Sequence, residues 1–165
     1  MAFRTIIFED QSGVGAVLSR LLKHRGHEVY AFTHKSQTAL LSYHECGSTP
    51  PHRCADFLIT DISLPGVNGL VWIEKQLAQG CCIPRIAIMS ADFVPSARKR
   101  AKELGVHVFE MPFKLSEVHQ WLSIGERSLM GEGAAKYNDW WLSDFSRGHE
   151  GEGGRCTEHR LSPRL

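Results

Sequence analysis

Along the first ~122 residues, short apolar runs alternate with stretches whose apolar positions recur every three or four residues. The short runs read as strands and the longer periodic stretches as amphipathic helices. Strands are predicted over residues 4–8, 28–32, 56–60, 85–89 and 106–110. The third is continuously apolar after Asp56, as befits a central parallel strand covered on both faces. The first helix places Val14, Val17, Leu18, Leu21 and Leu22 on one face, with Ser12 as candidate N-cap and Gly26 as its stop. A second helix begins near Ser36 and buries Ala39, Leu40 and Tyr43, before a turn-rich loop at 46–51. The third covers 69–79 with Leu70, Ile73 and Leu77 inward. The fourth covers 95–104, with Pro95 in its first turn. The fifth starts near Leu115 and turns Leu115, Val118, Trp121 and Leu122 to the core.

Five βα units predict an α/β domain, a doubly wound five-stranded parallel sheet in the order 2-1-3-4-5. In that order the first and third strands are neighbours. Glu9 and Asp10, after the first strand, then meet Asp61, after the third, at the carboxyl edge where such sheets bind ligands. Ser90 and Met111 fall on the same rim. Carboxylates about 4 Å apart repel by roughly 4 kcal/mol at an effective dielectric near 20, so the cluster calls for a cation or a shared proton. Its hard oxygen donors suit Mg²⁺, which favours one or two carboxylates together with water and phosphoryl oxygens.

Composition narrows the classes. With 165 residues, 42% hydrophobic and 22% charged, the chain can build one packed domain with a small appendage. A formal charge of +1 gives no electrostatic case for nucleic acid or a membrane surface. No apolar run approaches the roughly 18 residues that span a bilayer, and the N-terminus lacks a signal pattern; a cytoplasmic protein is expected. Five cysteines without CxxC spacing read as thiols of a reducing compartment. Nine scattered histidines show no i, i+4 metal-binding pair on a clear helix.

The turn Glu9-Asp10-Gln11-Ser12-Gly13-Val14-Gly15 sets two anions ahead of its glycines, which disfavours a pyrophosphate or a flavin phosphate there. No P-loop is present. A phosphatase of the aspartyl-phosphate type would need a second acid where Ser63 stands. Phosphoryl transfer onto a carboxylate is what remains. The segment Asp61-Ile62-Ser63-Leu64-Pro65-Gly66-Val67-Asn68-Gly69, the pair Glu9-Asp10, Ser90-Ala91 and Pro112-Phe113 together resemble bacterial two-component response-regulator receiver domains, over roughly residues 4 to 122. The resemblance implies a flavodoxin-like receiver fold with Asp61 as phosphoacceptor. It implies Mg²⁺ held by Asp10, Asp61 and the Ser63 carbonyl, with Glu9 acting through water. Ser90 corresponds to the hydroxyl that binds a phosphoryl oxygen and switches. Ser63 and Asp92 take positions that tune loss of the phosphoryl group. The implied partners are a histidine kinase or phosphotransfer protein and a downstream protein, with a second copy as another candidate and neither nucleic acid nor membrane involved. Beyond self-phosphorylation and self-dephosphorylation, no enzymatic activity is implied.

The pattern breaks at two places. Receivers carry a lysine where this chain has Met111, and a thioether brings no charge and little acceptor strength. Lys114, three residues on, is the nearest substitute. Val108 stands where many receivers have an inward-swinging aromatic residue, and the strand period of two turns Phe109 to the opposite face. Two functions follow: a phosphorelay receiver, or a pseudo-receiver that binds partners without phosphorylation. The domain is expected over 1–124. A tail over 125–165 holds seven of the fifteen glycines and reads as flexible, with an aromatic segment at 137–145 containing Tyr137, Trp141 and Phe145 at i, i+4, i+8. Arg98, Lys99, Arg100 and Lys102 make the fourth helix basic, a solvated face or a partner-facing one.

Overall fold

The computed structural model describes residues 2–9, 12–32, 52–64, 66–131 and 136–137. The second predicted helix, Asp10 and nearly all of the aromatic segment lie outside these residues. Five strands, β1 (Arg4–Phe8), β2 (Glu28–Phe32), β3 (Phe57–Asp61), β4 (Arg85–Ser90) and β5 (His107–Glu110), form one sheet. Every pairing is parallel and the order is β2-β1-β3-β4-β5, as the alternation of elements predicts. The described helices are α1 (Ser12–His24), α2 (Gly69–Ala78), α3 (Pro95–Glu103) and α4 (Leu115–Met130).

Strand alternation sorts the core into two layers. Ile6, Phe8, Leu58, Ile86 and Ile88 share one layer with Trp72 and Ile73 of α2 and Ala101 of α3. Ile7, Phe57, Ile59, Ala87, Met89 and Phe109 share the other with Leu18 and Leu22 of α1 and Val118, Trp121 and Leu122 of α4. Val108 packs in the first layer and Phe109 in the second, so consecutive residues of β5 do face opposite ways.

Three helical details depart from the sequence reading. Val17 is 49% exposed; at 100° per residue it stands roughly 85° off the centre of the stripe made by Val14, Leu18, Leu21 and Leu22. Leu115 is in phase with the α4 stripe but occupies the opening turn, where it is 45% exposed. The third concerns length: α4 runs past residue 124 to Met130, and Gly125 and Leu129 continue its buried face. A two-residue strand, His52–Arg53, pairs in parallel with Lys136–Tyr137 just beyond this helix.

Candidate functional site

The carboxyl edge of the sheet carries the acidic residues. Phe8 is level with Thr60 in the β1–β3 register, so the residues that follow them, Glu9 and Asp61, come at the same edge of two neighbouring strands. Both are buried, Glu9 at 2% exposure and Asp61 at 6%. The Glu9 N–H donates to the Phe32 carbonyl at 3.3 Å, which extends β1 along β2. Gly15, in the opening turns of α1, lies over the Glu9 side chain; a Cβ there would stand 3.4 Å from its Cγ. The N-terminal ends of α1 and α2 both follow this rim within a few residues, and their dipoles favour negative charge there.

Asp61 is held from its own loop. Ser63–Leu64 pairs antiparallel with Val67–Asn68, making a small hairpin that turns at Gly66, whose φ is +68°. The Ser63 N–H donates to Asp61 Oδ1 at 2.7 Å, fixing the carboxylate rotamer. At the hairpin's end the Gly69 N–H donates to the Ile62 carbonyl at 2.7 Å. Gly69 comes so close that a Cβ on it would sit 2.2 Å from the Asp61 carbonyl oxygen, a space only glycine fits. Asn68 caps α2, its side chain accepting from the Leu70 and Val71 N–H groups at 3.0 and 3.1 Å. Motif spacing places Asn68 and Gly69, but their reasons are a cap and a close backbone approach that spacing alone does not reveal.

Ser90 ends β4, 6% exposed, one residue past Met89, the register partner of Asp61. Its Oγ accepts from the Asp92 N–H at 3.1 Å and its carbonyl accepts from the Met111 N–H at 2.8 Å. Met111 is therefore stitched to Ser90 and half-buried, next to a cis bond to Pro112. Lys114 precedes α4 and is exposed, its N–H bonded to Glu117 Oε2 at 3.1 Å. Ser63 and Asp92 are exposed around the site.

The structure thus brings Glu9, Asp61, Ser63 and Ser90 to one edge, with Met111 beside them; Asp10 lies outside the described residues. Among the described residues no three acidic, histidine or cysteine side chains gather as a metal site by themselves. Two buried carboxylates on adjacent strands, with backbone oxygens of the β3–α2 hairpin nearby, nonetheless fit a hard, oxygen-preferring cation.

A solved structure of the non-phosphorylated HemR receiver domain of Leptospira biflexa superposes with a TM-score of 0.60 at 23% identity, covering 74% of this chain and 92% of that one. The chain has the fold of a response-regulator receiver domain. A second receiver-like neighbour is a response regulator of Burkholderia pseudomallei, solved with a phosphorylated aspartic acid, a calcium ion and citrate. It gives a TM-score of 0.56 at 18% identity over 79% of this chain and 73% of that one. In sequence, the sensory/regulatory protein RpfC of Xanthomonas campestris is 29% identical over 112 residues, 66% of this chain. This chain spans only 14% of RpfC's length. No family model matches the chain. No described helix is long and apolar enough to cross a membrane.

Proposed function

We propose that this chain is a phosphorelay signal receiver that accepts a phosphoryl group on Asp61 and signals through altered protein contacts. The observation that carries the proposal is the pair of buried carboxylates, Glu9 and Asp61, on adjacent strand ends of a receiver fold. An Asp61 carboxylate oxygen attacks the phosphorus of the donor. The new P–O bond forms as the bond to the leaving group breaks, and that group, an imidazole nitrogen in a histidine kinase or phosphotransfer protein, keeps the electron pair. Ser63 N–H holds Oδ1 at 2.7 Å, which fixes the rotamer in which the carboxylate meets the donor. Ser90 Oγ accepts from the Asp92 N–H through a lone pair and supplies its O–H to a phosphoryl oxygen. Glu9, Asp10, Asp61 and the Ser63 carbonyl would hold Mg²⁺. The ion, when bound, neutralises charge on the transferring group.

A pseudo-receiver is the second reading, and Met111 is the observation that favours it. The residue bonded to the Ser90 carbonyl is a thioether, so the rim receives no cation from that position. Downstream contacts of either kind would use protein surfaces. On α3, Arg98 pairs with Glu110 at 3.0 Å and Arg100 pairs with Glu74 and Glu103, while Arg98, Lys99 and Lys102 are the exposed basic positions.

Thermal unfolding with Mg²⁺ and beryllofluoride, a phosphoryl mimic, tests the receiver reading. It predicts a stabilisation that requires both additives and disappears in Asp61→Asn. A shift from neither, in a folded protein, would favour the pseudo-receiver.

A further inference from the structure

At the opposite, N-terminal edge of the sheet, His27 is sealed inside a hydrogen-bonded cluster drawn from distant parts of the chain. Its side chain is 0% exposed and lies against the rings of Phe3 and Phe57. Nδ1 is 2.7 Å from Thr5 Oγ1 on β1, and Nε2 is 2.9 Å from Glu126 Oε1 on α4. Arg25, in the turn between α1 and β2, closes the same carboxylate with Nε at 2.9 Å from Oε1 and a terminal nitrogen at 2.6 Å from Oε2. It also reaches His119 Nδ1 at 3.0 Å and donates to Ser123 at 2.9 Å, both on α4. Through this cluster, the last turns of α4 are tied to the corner where α1 enters β2.

We propose that Thr5, Arg25, His27 and Glu126 form an acid-sensitive latch, which holds the C-terminal half of α4 against the sheet and loosens it when His27 takes up a proton. With a neutral ring, Nε2–H donates to Glu126 and Nδ1 accepts the Thr5 hydroxyl proton, so both nitrogens are satisfied. Arg25 and Glu126 already cancel one another's charge. A proton on His27 therefore adds an uncompensated positive charge to a sealed site and forces the Thr5 hydroxyl to turn from donor to acceptor. Arg25 opposes that charge, whereas Glu126 and Asp56, the residue before β3, favour it. Burial is the largest influence and, with Arg25, holds the imidazole below its ordinary range.

The sign follows by linkage. A histidine lowered on folding stabilises the latched form fully above about pH 6.5, and the stabilisation drains away as pH falls from there towards the lowered value. The latch lies at the end of the sheet remote from Asp61, and α4 is followed in sequence by Lys136–Tyr137, which pairs with His52–Arg53. Acidity would thus act on the C-terminal end of the domain as an input separate from phosphoryl transfer.

Amide hydrogen exchange on the full chain, corrected for intrinsic rates and compared between about pH 8 and pH 5, tests the latch. Protection of residues 119–130 is expected to fall on acidification, about tenfold for each unit by which His27 is lowered. That loss should shrink in His27→Gln, whose amide can donate to Glu126 and accept from Thr5 without titrating, to the smaller slope carried by His107, which stacks on Trp121. In the wild type alone, the loss should begin at about pH 6.5 and level off at the His27 titration followed by NMR. Unchanged protection of α4 in the wild type, the same loss in a folded His27→Gln protein, or a loss that levels off away from the His27 titration would each overturn the proposal.

Discussion

Gly69 tolerates no side chain. A methyl group there would collide with the Asp61 carbonyl, a backbone atom held in β3 and unable to swing aside. Gly69→Ala should therefore cost about 1–3 kcal/mol, the usual scale for forced overpacking, readable as a lower urea midpoint. It should also depress modification of Asp61, because the hairpin that orients the carboxylate must shift. Met111→Lys makes a complementary prediction: a restored cation at the rim should change phosphoryl uptake or its decay, measured as adduct against time. Identical kinetics would mean that the methionine does not limit the site. Asp61 and Glu9 were legible because each follows an apolar strand run and the topology makes those strands neighbours. The reasons for Gly69 and Asn68 were not, since both depend on where α2 begins relative to Asp61. His27 was one of nine scattered histidines, and its partners, Thr5 and Glu126, are remote in sequence.

Among the elements, α4 differs most from its sequence reading. Val118, Trp121 and Leu122 are buried as their spacing predicts, but the packed face goes on through Gly125 and Leu129. Gly125 reads as the start of a glycine-rich tail; in the fold it is a contact. A Cβ there would stand 2.6 Å from Cε1 of the Phe57 ring, which is itself enclosed by Phe3, His27 and Trp121. Gly125→Ala should thus destabilise the protein by about 1–3 kcal/mol, despite alanine's better helix propensity. Calorimetry showing a rise in stability would contradict this packing account. Loss of the α2 cap in Asn68→Ala should cost about 0.5–2 kcal/mol. Strand positions were easier to read than helix ends because two-sided burial writes continuous apolar runs, whereas a helix end depends on tertiary cover.

For the whole molecule, sheet order was legible from the alternation of strands and helices, and both core layers follow from strand alternation. The electrostatic tie between the two termini of the domain was hidden. Burial works to raise the Glu126 carboxyl, but hydrogen bonds from Arg25 and His27 prevail and hold it below the usual carboxylate range. A lowered carboxyl contributes stability above its unfolded value and loses it as pH falls from about 4.5. Thermal unfolding across pH should accordingly show a first decline below about pH 6.5 from His27 and a second below about pH 4.5 from Glu126. His27→Gln should flatten the first decline, with a residual slope from His107, which burial also lowers against the opposing field of Glu117.

The central claim is chemical, and the intact mass of the protein after incubation with a small phosphodonor and Mg²⁺ tests it most directly. The account predicts the addition of one phosphoryl group, mapped to Asp61 and absent from Asp61→Asn. A folded wild-type protein that binds Mg²⁺ yet never gains that mass would contradict it.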